Sequence, residues 1–140
     1  MHQLSLSQAT ALINAAFAKG EQLGLKPLTV TVLDPGGHTI ACQRQDGAST
    51  LRVELAAGKA RGALALGVSS RVIGEMALER PHFVASLQAL GQGGLVPAAG
   101  GEIVRGPDGA ILGAIGVTGD TSDNDEACAL AAIASQGLES

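Results

Sequence analysis

The chain has almost no aromatic side chains. Phe17 and Phe83 stand alone, with no Trp and no Tyr. That removes the stacking platforms on which single-stranded nucleic acid is held. Positive charge is equally sparse: Lys and Arg number 9 against 13 Asp and Glu, for a formal charge of -4. No basic stripe follows a phosphate backbone, so no nucleic acid is expected as a partner. Cys42 and Cys128 lack the spacing of metal ligands and are expected to be small buried hydrophobes. No apolar run is long enough to span a membrane, and the stretch from Met1 to Ser5 carries no signal-peptide pattern, so a cytoplasmic protein with no membrane partner is expected. Charge is scarce overall: 16% of residues are charged while 46% are hydrophobic. So little surface charge suits a homo-oligomer that buries apolar surface between subunits.

What is present is patterned. The 140 residues are one domain's length. Ser5-Leu-Ser-Gln8 reads as a capping box, and Ala9, Leu12, Ile13, Ala16 and Phe17 recur at helical spacing until Gly20 or Gly24 ends the helix. Leu28, Val30 and Val32 alternate with Thr29 and Thr31 as a half-buried strand. Asp34-Pro-Gly-Gly37 is a turn, and Thr39 to Arg44 is the return strand of a hairpin. Thr50 to Leu66 is helical, with Leu51, Leu55, Lys59, Gly62 and Leu66 as its inward stripe. A shorter helix runs from Arg71 to Glu79, and another begins at Pro81. Gly91 to Gly101 is a glycine-rich loop. Glu102 to Arg105 and Ala110 to Val117 make a second hairpin, and a terminal helix starts near Ser122. Two hairpins imply an antiparallel sheet covered by apolar helices, a single α+β domain over residues 1–140.

The segment from Gly113 to Glu126 is the most telling. Gly113 and Gly116 interrupt a strand, and such glycines mark close approach of a ligand or of another backbone. The strand then turns at Gly119 into a helix N-terminus, which offers unpaired N–H donors.

Val32-Leu-Asp34 with Gly36-Gly37, Arg44-Gln-Asp46-Gly47, Lys59-Ala60, Leu95-Val-Pro97, Gly100-Gly101, and Gly113 to Gly119 with Asp125-Glu126 occur in one order. This series resembles the GlcG/HbpS family, which also includes the C-terminal domain of PduO-type cobalamin adenosyltransferases. The resemblance spans about Leu4 to Leu138. It implies a profilin-like fold with helices on both sides of the sheet, assembly into oligomers, and haem as the ligand of some members. Many members belong to catabolic operons. The position two residues after Lys59, often Thr in the family, is Arg61 here.

Haem iron commonly takes an axial imidazole. His82, between Pro81 and Phe83, is the first expected metal ligand and His38 the second; each has an alternative as a solvated histidine. Lys59, inside an Ala/Leu/Gly stripe with Gly58 and Gly62 beside it, either meets an anion or forms a buried ion pair with Asp34, Asp46 or Glu102. Arg44 and Arg61 would join Lys59 around a propionate or a small carboxylate. Gly100 and Gly101, with Gly113 and Gly116, are the expected close-approach positions of that ligand site. Glu102 is placed as a general base, with Lys59 and His82 as further catalytic groups; its alternative is a loop or strand-edge charge. Asp123 and Glu126 match helix-capping positions. Gly91-Gln-Gly-Gly94 lacks both the Lys-Ser/Thr ending of a phosphate loop and the setting of a dinucleotide fingerprint. Two functions fit. One is a small-ligand binding protein, with haem or a related tetrapyrrole as the ligand. The other is a cofactor-independent enzyme that acts on a small carboxylated catabolic intermediate by proton transfer, hydration or hydrolysis.

Overall fold

A computed structural model describes residues 2–91 and 93–140. Gln92, within the glycine-rich loop, lies outside the described residues. Nine elements follow in order: α1 (Leu6–Leu23), β1 (Thr29–Leu33), β2 (Thr39–Arg44), α2 (Arg52–Leu66), α3 (Ser70–Glu79), α4 (Pro81–Leu87), β3 (Gly101–Arg105), β4 (Ile111–Thr118) and α5 (Ser122–Ser135). The strands form one antiparallel sheet in the order β2-β1-β4-β3. Each hairpin supplies one edge and one central strand. No helix among the described residues is long and apolar enough to cross a membrane.

α1 begins as its sequence dictates. Ser5 accepts the Gln8 N–H while the Gln8 side chain accepts the Ser5 N–H, and Gly24 closes the helix in the left-handed region at φ 68°. Gly20 stays inside the helix, packed against Leu28. α1 and α5 cover one face of the sheet. Leu12, Ile13, Ala16, Cys128, Ala132 and Ile133 pack there against Val30, Val32, Ile115 and Val117. α2 covers the other face, where Ala60 and Leu64 meet Leu33 and Ala114.

Two expectations change. β1 is buried along its whole length, not half-buried, because helices lie on both of its faces. The inward residues of α2 are Ala56, Gly58, Lys59, Ala60, Gly62 and Ala63, while Leu51 of the expected stripe is exposed. The cause is the distance between layers. Any β-carbon on Gly116 would strike the Ala56 carbonyl, and one on Gly101 would strike the Lys59 carbonyl. A helix that lies this close to a sheet presents alanine, because leucine does not fit. Cys42 is also corrected: Cys128 is buried, but Cys42 sits exposed on the edge strand β2, where Thr31 Oγ1 donates to its sulfur at 3.2 Å.

Candidate functional site

Lys59 is buried on α2, and its ammonium has two partners. It donates to the Val117 carbonyl at 3.0 Å and to Asp125 Oδ2 at 3.2 Å. Asp125 is equally buried, and its second oxygen accepts the Asp120 N–H at 2.9 Å. Burial pushes the Lys59 pKa below its ordinary 10.5, while the Asp125 carboxylate opposes that shift. The ion-pair alternative therefore describes Lys59, with Asp125 as partner in place of Asp34, Asp46 or Glu102. The flanking glycines admit protein: Gly58 abuts Val96 and Gly62 abuts Leu95. The bonded, enclosed ammonium acts as a brace between α2, β4 and α5, and its geometry gives no support to a nucleophilic role.

The four expected close-approach glycines resolve in the same way. Gly101 and Gly116 meet carbonyls of α2, Gly113 meets the Leu33 carbonyl, and Gly100 meets the Val117 carbonyl and the Lys59 side chain. Of the two readings of a strand glycine, contact with another backbone is the one realised, and protein fills the space where a ligand was expected.

Glu102 lies on edge strand β3, opposite Ile115, so its side chain is on the α5 face. It is 7% exposed. Burial, reinforced by the negative charge of Glu126, raises its pKa from 4.5 to about 7, and Arg71 opposes the rise. Arg71 on α3 holds α5 in place: its Nε donates to both oxygens of Glu126, at 3.1 and 2.9 Å, and its Nη2 donates to Asp123. These two carboxylates thus serve α3 rather than the helix cap. The cap is Thr121, which accepts the Asn124 N–H. Ser70, at the start of α3, accepts the Gly101 N–H at 2.7 Å. Reasoning from sequence missed Asp125, Ser70 and Arg71 because each meets a partner more than thirty residues away.

The expected cations do not converge. Arg44 lines an open groove of about 540 Å³ with Phe17, Glu21, Pro27 and Asp46. Lys59 is enclosed with Asp125. Arg61 donates to the carbonyls of Gly93 and Gly94, at 3.1 and 2.9 Å. The three-cation anion pocket is therefore not assembled.

Arg61 instead lines a groove of about 560 Å³ together with Gly36, Gly37, His38, Ala65, Gly91 and Gly93. Beside it, and sharing Arg61, Ala65 and Gly91, is an apolar pocket of about 250 Å³ walled by Leu66, Leu87, Leu90 and Leu95. The β1–β2 turn places His38 there, with its side chain 83% exposed and Nδ1 3.3 Å from Asp34 Oδ1. Hydrogen bonds from the His38 and Gly36 amides, with the nearby imidazole, hold the Asp34 pKa below its usual value. His82, the first-choice ligand, is exposed at the start of α4 and does not line this groove. The imidazole thus lines one groove and the leucine wall the adjoining pocket, with the Arg61 guanidinium on the border of both.

Comparison with known proteins agrees with this architecture. The chain is 29% identical over 130 residues to a 15.0 kDa protein of the dhaT-dhaS intergenic region of Citrobacter freundii, covering 93% of this chain and 89% of that one. Its structure superposes on that of PduOC in complex with haem with a TM-score of 0.86 at 27% identity, covering 98% and 97% of the two chains. It superposes on HbpS with a TM-score of 0.82 at 29% identity, covering 96% and 91%. The model of the family described as haem degrading protein HbpS-like matches residues 4–134. The chain belongs to the HbpS-like family.

Proposed function

We propose that this protein binds haem or a related metal-centred tetrapyrrole in the groove between the β1–β2 turn and α2. The observation that carries the reading is the junction at Arg61 of two adjoining cavities, one lined by His38 and the other walled by Leu66, Leu87, Leu90 and Leu95. The donor set fits the group: an imidazole for the iron, a guanidinium for a propionate, and apolar side chains for the ring. The solved haem complex of PduOC supports it by likeness. His38 would hold the iron, Arg61 would hold a propionate, and the leucines would exclude water from the apolar part of the ligand. When bound, the haem would supply a redox-active iron. Leu78, 87% exposed, favours a homo-oligomer as the working form, and the absence of a membrane-spanning helix among the described residues is compatible with a cytoplasmic setting.

The test is a hemin titration followed by visible absorption. The wild-type protein is expected to give a saturable, shifted Soret band, which His38→Ala abolishes and His82→Ala leaves intact. A wild-type titration no different from that of a control protein refutes haem binding. Loss in His82→Ala with retention in His38→Ala moves the site to α4.

A further inference from the structure

Arg61 stands at the mouth of the leucine pocket with one edge of its guanidinium uncommitted. Its Nη1 donates to the Gly93 and Gly94 carbonyls, at 3.1 and 2.9 Å. Those bonds leave the side-on edge, Nε and Nη2, without a partner among the described residues. The ion pairs among those residues use His38, Lys59 and Arg71, and no carboxylate of theirs reaches Arg61. Two parallel N–H groups on such an edge match the two oxygens of a carboxylate.

Behind Arg61 the pocket is apolar. Leu66, Leu87, Leu90 and Leu95 wall it, and Arg61 is the only charged residue among the described residues that line it. Leu90 is 80% exposed, so an apolar ligand would remove its surface from water. The wall at Leu95 is fixed by the chain itself. Gln88 Nε2 donates to the Leu95 carbonyl at 2.9 Å, and Gln88 Oε1 accepts the Leu95 N–H at 3.0 Å. Leu95 also packs against Gly62 of α2. Volume then limits the occupant. The pocket measures about 250 Å³. A cavity of ~150 Å³ holds benzene, so this one takes a body of about ten non-hydrogen atoms and excludes a macrocycle.

We propose that the leucine pocket binds a compact apolar monocarboxylate, an aliphatic or arylalkyl acid of about ten non-hydrogen atoms. Its carboxylate lies on the Nε/Nη2 edge of Arg61 and its body among Leu66, Leu87, Leu90 and Leu95. Such a ligand needs neither a metal nor His38, so the site stands apart from the haem reading, although the two ligands compete for Arg61.

The test is a titration of the wild-type protein with octanoate, an acid of that size, followed by leucine-methyl NMR. The signals of Leu66, Leu87, Leu90 and Leu95 are expected to shift and saturate, while Leu12 in the core stays in place. Affinity should rise about fourfold for each CH₂ from butyrate to octanoate and level off in longer acids, once the pocket is full. Octanamide keeps the body but lacks the charge, and should bind wild type about tenfold more weakly. Arg61→Gln should weaken octanoate by a similar factor and leave octanamide within twofold; the acid–amide comparison needs no variant to fold. Equal affinity for octanoate and octanamide overturns the proposal. So does affinity that keeps rising through dodecanoate, or shifts at Leu78 in place of the pocket leucines. Octanoate binding without hemin uptake upholds this site and removes the haem reading; hemin uptake without octanoate binding does the reverse.

Discussion

Replacing Asp125 by Asn isolates the brace beneath the sheet. The change is nearly isosteric and keeps the Oδ1 that accepts the Asp120 N–H, but it leaves the Lys59 ammonium with only the Val117 carbonyl. Breaking a buried pair on one side costs about 3–5 kcal/mol, because the remaining charge is uncompensated. For a domain of this size, ~3–4 °C per kcal/mol gives a loss of roughly 10–20 °C in Tm. The lysine has one escape, which is to release its proton. From the ordinary value of 10.5, that release costs ~5 kcal/mol at pH 7 and ~2 kcal/mol at pH 9, at 1.36 kcal/mol per unit. The penalty in Asp125→Asn is thus expected to be near its full value at neutral pH and to shrink as pH rises. In sign, a depressed lysine pKa means the unfolded chain binds more protons between the folded pKa and 10.5, so the variant gains stability with pH through that window. Urea unfolding of both proteins at pH 7 and pH 9 measures this. A loss under about 1 kcal/mol at pH 7, or an equal loss at both pH values, refutes the buried-pair account. The double variant Lys59→Met/Asp125→Asn, which removes both charges and keeps the acceptor of the Asp120 N–H, should recover most of the loss.

Glu102 gives the opposite pH signature. Its folded pKa of about 7 exceeds 4.5, so the folded state holds its proton longer, and its stabilising contribution fades as pH rises from about 4.5 to about 7. Glu102→Gln should raise stability by about 1–3 kcal/mol at pH 8 and leave it nearly unchanged at pH 4.5; equal urea midpoint shifts at both pH values count against it. Gly116→Ala should cost about 3 kcal/mol or more, since its methyl group meets the Ala56 carbonyl, whereas Gly91→Ala, with open space around it, should stay within about 0.5 kcal/mol in the same assay.

Local chemistry was legible in the sequence wherever partners are neighbours. The Ser5/Gln8 cap, the Asp34-Pro-Gly-Gly37 turn and both hairpins appear where composition places them. Glycines at Gly113 and Gly116 correctly signalled close approach, but a single chain position does not say what approaches. The helix stripe was misjudged because leucine outranks alanine in hydrophobicity, while the Gly116 contact selects for size. Lys59 was identified as unusual from its apolar neighbours. Its partner was not identified, because Asp125 is 66 residues away and resembles any acid in the first turn of a helix. Likewise, His38 and Arg61 come from unrelated segments, and only the fold puts them on one groove. The Asp34-Pro-Gly-Gly37 turn was legible from its Pro and Gly, whereas the bonds that the Gly36 and His38 amides donate to Asp34 Oδ1 emerge only from the structure.

The glycine contacts between α2 and the sheet have a mechanical side. Where the Ala56 and Lys59 carbonyls rest on Gly116 and Gly101, no side chain lies between the layers to act as a soft spacer, so helix and sheet resist sliding or parting. One wall of the His38 groove is carried by the sheet, through the β1–β2 turn, and the other by α2. Those walls are set at a constant width, like the fixed jaws of a gauge. The third side of the groove carries Gly91 and Gly93, and Arg61 ties the Gly93 and Gly94 carbonyls to α2 by two bonds. A change in the shape of ligand accepted therefore falls to substitutions on the rim, with the frame beneath it left untouched.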